Sequence, residues 1–158
     1  MAWSRTSVGD PESAMSRLEI RIGEWRICLP HPWVSLNEQT CVRSQPMLGQ
    51  FQISTARPMG GTKPVWDAPA LTTMLFEMAA KSGFPRPQNL QESRTRHITV
   101  VCGDLDSNGT YVGRMWFASY EGGCLFATYL SPVGSNPDID EEIAEAHAAL
   151  LGAEIMMH

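Results

Sequence analysis

The sequence predicts an α+β domain in which an antiparallel sheet, built from two meanders, carries two main helices packed against it. Three observations lead there. Apolar residues alternate with polar ones in several short runs, the period of half-buried strands. Two longer segments repeat their apolar residues every three to four positions between helix start and stop signals. The order strands, helix, strands, helix then favours a sheet with helices against it over alternating βαβ units.

Residues 1–16 are rich in Ser, Gly, Pro and charge without periodicity and read as a flexible leader. Residues 17–158 form the single domain. Leu18, Ile20 and Ile22 alternate with Glu19 and Arg21, and Trp25, Ile27 and Leu29 alternate with Arg26 and Cys28. Pro30, His31 and Pro32 end that run. WVSL, TCVRS and LGQFQIST continue as short strands divided by turn formers, so an N-terminal meander is expected from Leu18 onward. The stretch ARPMGGTKPVW, with two prolines and two glycines, is expected to be a long surface loop.

WDAPALTTMLFEMAAKSGF is the first helix, with Asp67 as N-cap, Pro69 in the first turn, Leu71, Met74, Leu75 and Met78 on one face, and Gly83 just past the end. RTRHITVVCGDL, TYVGRMWFASY and CLFATYLS are three strands joined by turns at DSNG and EGG. Ile98, Val100, Cys102, Met115, Phe117, Phe126 and Leu130 are their expected core residues. The second helix runs from Pro137 to about Leu151, with Ile139, Ile143, Ala146 and Leu150 as its apolar stripe and Gly152 at its stop. The last segment, GAEIMMH, fits either a short edge strand or a frayed tail.

With 43% hydrophobic and 18% charged residues the chain has a globular composition, and 158 residues are enough for a sizeable core. The net charge of −5, with 12 Lys and Arg scattered rather than gathered, argues against nucleic acid as a partner. No stretch approaches the roughly 18 apolar residues of a membrane span, and the start lacks the apolar region of a secretory signal. Cys28, Cys41, Cys102 and Cys124 stand far apart without C-x-x-C spacing, as buried free thiols in a reducing compartment would. A cytoplasmic location is the expectation.

Asp104-Leu105-Asp106-Ser107-Asn108-Gly109 matches the first half of a calcium-binding loop. The twelfth position, where a bidentate Glu closes the oxygen shell, is Met115, and both flanks are strands, so a tight turn is expected. In that turn Asp104 or Asp106 would bond backbone amides. Gly60-Gly61-Thr62-Lys63 lacks the Gly-Lys step of a phosphate loop and reads as a flexible loop. None of His31, His97, His147 and His158 sits in a zinc or nucleophile-elbow motif. His147 is expected at the edge of the core and His97 on a strand. No metal, cofactor or catalytic set is therefore assigned.

The acids Asp138, Asp140, Glu141, Glu142 and Glu145 suit the positive end of the helix dipole and solvation, and also form a patch that could meet a basic partner. Trp25 and Trp116 are expected in the core. Trp66, at a loop-to-helix junction, and Tyr120, at a turn, are candidate contact residues. The candidate partner-binding set is Trp66, Asp104, Asp106, Asn108, Tyr120, Asp138, Asp140 and Glu141.

A strand ending in Leu29-Pro30, the junction LPHPW with Trp33 opening the next strand, then paired strands, a long loop, a helix, a three-stranded meander and a last helix together resemble the PsbP-like α/β/α architecture. Bacterial DcrB-type proteins, the Ran-binding nuclear-import factor family and several immunity proteins of bacterial toxin systems share that architecture. The resemblance covers about residues 18 to 155 and transfers no functional residue. It implies a non-enzymatic binding domain. DcrB-type proteins usually begin with a lipoprotein or secretory signal, which this sequence lacks, and that departure favours the cytoplasmic expectation. The sharpest functional expectation is an immunity protein or adaptor that binds and neutralises a toxin or secreted effector. The alternatives are an enzyme with dispersed residues, for example His97 with Glu92 or Asp104, and a carrier of a small apolar ligand lined by Met and Phe.

Overall fold

The computed structural model describes residues 17–44, 47–56, 67–107, 110–120, 123–132 and 137–156. The leader, the loop residues 57–66 with Gly60 to Lys63 and Trp66, the turn residues Asn108, Gly109, Glu121 and Gly122, and His158 lie outside that set.

Among the described residues ten strands and two helices follow in order: β1 (Leu18–Ile22), β2 (Trp25–Leu29), β3 (Trp33–Ser35), β4 (Thr40–Arg43), β5 (Gln50–Ala56), α1 (Ala68–Lys81), β6 (Gln88–Arg94), β7 (Thr99–Asp106), β8 (Val112–Tyr120), β9 (Gly123–Ser131), α2 (Pro137–Leu151) and β10 (Glu154–Ile155). Seven strands form one antiparallel sheet in the order β3-β4-β5-β9-β8-β7-β6. The other three form a small sheet, β1-β2-β10.

The expected N-terminal meander therefore needs correction. The alternation of β1 and β2 is as read, with Ile20, Trp25, Ile27 and Leu29 buried, but their hairpin leaves the main sheet, and β10 pairs with β2 through Glu154 opposite Arg26 and Ile155 opposite Trp25. Period-2 patterning says which face of a strand is buried and not which sheet the strand joins. Within the C-terminal segment, Glu154–Ile155 is thus an edge strand.

The large sheet is apolar on both faces. On one face Leu71, Leu75 and Ala79 of α1 pack against Val101, Leu105, Met115, Phe117 and Cys124. On the other, Ile139, Ile143, Ala146 and Leu150 of α2, together with Ile20, Trp25, Ile27 and Leu29 of the small sheet, cover Phe51, Val100, Cys102, Trp116, Ala127 and Tyr129. Two-sided burial explains why β7, β8 and β9 read as nearly continuous apolar runs. Of the seven expected core residues, Ile98, Val100, Cys102, Met115 and Phe117 are buried, while Phe126 and Leu130 are half-buried at the α1 side.

Both helices end where their signals lie. The Asp67 carboxylate accepts from the Ala70 amide at 3.0 Å. At the other end of α1 Gly83 has φ +78°, and the Phe84 amide donates to the Ala79 carbonyl at 2.8 Å, a glycine-terminated stop. The α2 helix spans the expected residues, and the Gly152 amide closes it on the Ala148 carbonyl at 2.9 Å.

Strand β6 has no counterpart in the sequence reading, which begins the first strand of the second meander near Arg94. Its residues, QNLQESR, are nearly all exposed and show no alternation. It is an edge strand held by backbone pairing to β7, so no apolar signal marks it. His97 consequently lies in the turn between β6 and β7 rather than on a strand, where the Thr95 amide donates to the Ile98 carbonyl at 2.8 Å.

Candidate functional site

At the end of the sheet where β7 turns into β8, a groove of about 520 Å³ opens between these strands and the first half of α2. Strand periodicity puts Asp104 and Asp106 on the same face of β7, two residues apart. The β7–β8 register sets Arg114 opposite Asp104 and Val112 opposite Asp106. The facing wall is helical: Ile139, Asp140, Ile143 and Ala144 are one and three to four residues apart and share a side of α2. Gln88 and Asn89 of β6 close one end.

The groove's charges are unequally engaged. Arg114 Nε donates to Asp104 Oδ1 at 2.9 Å, and Asn89 Nδ2 donates to Asp104 Oδ2 at 3.1 Å, so both oxygens of that carboxylate are occupied. Asn89 reaches it from a backbone position at φ +52°, where the β6–β7 register shifts between Gln88 and Gln91. A bulge re-aims a side chain in this way. Asp106 and Asp140, by contrast, have no hydrogen-bond or ion-pair partner among the described residues. Three carboxylates against one guanidinium leave the groove with two negative charges.

Beneath the groove, α2 is fastened to the sheet by polar contacts that the sequence did not reveal. Trp116 Nε1 donates to His147 Nδ1 at 3.0 Å, and His147 Nε2 lies 3.4 Å from Ser93 Oγ. An indole N–H only donates, so Nδ1 must hold the lone pair and Nε2 the proton. Burial first, and the Arg114 charge second, hold this imidazole below its ordinary pKa. A histidine with the proton on Nε2 cannot accept one from Ser93, so the pair is not arranged as a nucleophile with its base.

Nearer the start of α2, Tyr129 donates its hydroxyl proton to Glu142 Oε1 at 2.6 Å, while Glu142 Oε2 has no hydrogen-bond partner among the described residues. Burial pushes the Glu142 carboxyl above its ordinary range, although the Tyr129 hydroxyl and the Arg43 charge pull it down. Tyr129 is pushed up as well, by burial and then by the adjacent carboxyl. At the rim Arg43 binds Glu141 at 2.8 Å and lies 3.7 Å from Glu145, which accepts from Trp33 Nε1 at 2.9 Å.

The candidate residues from the sequence fall into separate places. Asp104, Asp106 and Asp140 converge on the groove. Asp138 is exposed in the first turn of α2, and Glu141 is on the opposite flank, paired with Arg43. Tyr120 is not a free contact residue: its ring packs edge-on against Trp25 at 5.3 Å and its hydroxyl donates to Glu24. Trp66 and Asn108 lie outside the described residues. The acidic run at the start of α2 is likewise not simply solvated, because Glu142 is fully buried. The expectation was that Asp104 or Asp106 would bond backbone amides; Asp104 instead takes side-chain bonds from Arg114 and Asn89, and Asp106 makes no such bond among the described residues. The turn itself is closed by the Thr110 amide donating to the Ser107 carbonyl at 2.9 Å, and Met115 in the twelfth position of the calcium pattern is buried against α1. Among the described residues no group of three or more His, Cys, Asp or Glu is placed to hold a metal ion.

His97 and Asp104 do not meet, since Thr99 to Asp104 alone spans about 17 Å of extended strand. Glu92 is engaged with Arg94 at 2.6 Å. Met74, Met78, Phe117 and Phe126 pack between α1 and the sheet. A second open depression, of about 400 Å³, lies over β4, β5 and β9 and is lined by Val42, Met47, Leu48, Gln50 and Leu130 among others. Cys41, Cys102 and Cys124 are buried free thiols and Cys28 is half-buried. Burial raises the Cys41 and Cys124 thiols to about 11 and about 12. No described helix is long and apolar enough to cross a membrane.

No protein-family model matches the chain, and no curated protein sequence matches it. Among solved structures it is similar to cyanobacterial PsbP (CyanoP) from Synechocystis sp. PCC 6803, determined in solution, with a TM-score of 0.52 over 84% of this chain and 86% of that one at 9% sequence identity. Similarity at that identity speaks for the fold alone, and the fold is PsbP-like.

Proposed function

We propose, with the PsbP-like fold as premise, that the protein is a non-enzymatic binding domain whose groove between α2 and the β7–β8 hairpin contacts another protein. In its sharpest form the reading is a cytoplasmic immunity protein that occludes a toxin or secreted effector, and an adaptor is the broader form. The observation that carries it is the groove: a concave surface on two strands and a helix, presenting two carboxylates that are unengaged among the described residues above an apolar floor. Contact surfaces combine such an apolar centre with charged groups that set orientation and on-rate.

Asp104 in the groove and His147 on α2 support contact over chemistry. Asp104 is held by two donors, and His147 carries its proton on the nitrogen facing Ser93. Neither is arranged as a general base. The test is affinity capture with the tagged full chain from its source cells at moderate salt, with bound protein identified by mass. One stoichiometric partner is expected, toxic when expressed alone and harmless when this chain is expressed with it. A preparation free of any protein partner overturns the reading, and a harmless partner reduces it to the adaptor form.

A further inference from the structure

We infer that the groove receives a lysine or arginine side chain of the partner, its aliphatic stem lying along Ile139, Ile143 and Val112 and its charged head meeting Asp106 and Asp140. The inference rests on the protein-binding reading and names the chemistry of the contact.

Charge and shape both point there. Asp104 has both oxygens engaged, and the groove's one guanidinium, Arg114, is already bound to it. An incoming anion would meet Asp106 and Asp140 with no free cation from the lining to receive it. An incoming cation finds two carboxylates on opposite walls. The α2 dipole opposes a cation with about half a unit charge at the helix start, which is less than the two charges the groove holds. The apolar residues select among cations. A metal ion has no use for Ile139, Ile143 and Val112, and a hard divalent ion needs six or more oxygen ligands. Lys and Arg bury a three- or four-carbon stem on apolar surface while the head stays polar. A volume of about 520 Å³ admits such a side chain with its neighbours.

The test titrates the ¹⁵N-labelled full chain with acetylated, amidated hexalysine, with hexaglutamate and spermidine as comparisons. Hexalysine is expected to shift the amides of 104–106, 112–114 and 139–144 to saturation, hexaglutamate to leave them unmoved, and spermidine to bind at least tenfold more weakly. The double variant D106N/D140N, whose remaining spectrum reports an intact fold, is expected to lose at least tenfold in hexalysine affinity. Shifts centred on other acidic surface, unchanged affinity in the variant, or spermidine binding as tight as hexalysine overturns the inference. If a stoichiometric partner is captured from cells while hexalysine fails to localise, only this inference falls. If no partner is captured, the protein-binding reading falls with it.

Discussion

Glu142 is the residue whose position most separates sequence from structure. In the sequence it is one acid in the run Asp138 to Glu145, and such runs at helix starts are ordinarily solvated. In the fold it is fully buried, three residues after Ile139 on the apolar stripe, beneath the Tyr129 hydroxyl. The helical spacing that assigned Ile139 and Ile143 to the core contained this signal, but charge took precedence over phase. Its folded pKa is raised above the ordinary carboxyl value, so the folded state holds the proton more tightly than the unfolded chain. The stability it contributes is present below about pH 4.5 and lost as pH rises through the folded value. His147 acts in the opposite sense. Its folded pKa is depressed, so its contribution is present above about pH 6.5 and lost as pH falls through the folded value. Thermal unfolding across pH 4 to 8 is expected to show Glu142→Gln removing the loss on the alkaline side and His147→Gln removing the loss on the acid side. A wild-type profile shared by both variants would contradict this. Tyr129→Phe leaves the buried carboxyl without its donor and is expected to cost about 1–3 kcal/mol, measurable by urea unfolding.

At the scale of elements, α1 and α2 were legible to within a residue or so because their signals are local: an N-cap Asp67, a terminal Gly83, and apolar residues at helical spacing. Strand β6 was not, because it contributes backbone pairing and almost no buried side chain. Two glycines illustrate different constraints. A Cβ on Gly83 would meet nothing within 4 Å, but its φ of +78° disfavours any L side chain. A Cβ on Gly113 would stand 1.9 Å from the Tyr129 carbonyl oxygen, which is backbone and cannot rotate away. Gly83→Ala is therefore expected to cost about 1 kcal/mol, and Gly113→Ala about 3 kcal/mol or more, by displacing β8 from β9. Equal costs in chemical denaturation would refute the distinction. Truncating the α1 contact, Leu75→Ala, is expected to cost about 2–5 kcal/mol.

For the whole molecule, the class and the two-helix organisation followed from element order, whereas the division of strands between two sheets did not, since β1 and β2 alternate just as strands of the main sheet would. The groove shows the same limit. Asp104 and Asp106 were singled out at a turn and Asp140 at a helix start, 34 residues beyond Asp106 in the chain, and only the fold brings them to one concavity. Arg114 and Asn89, which occupy Asp104, carry no sequence motif at all. On the protein-binding reading, this concavity is where the partner sits. The most direct measurement is parallel affinity capture with the wild-type chain and D106K/D140K, the variant's fold checked by its thermal transition. One identified, stoichiometric partner with the wild type and at least a tenfold lower yield with the variant is the predicted result. Equal capture by both chains, or no partner with the wild type, would contradict the claim.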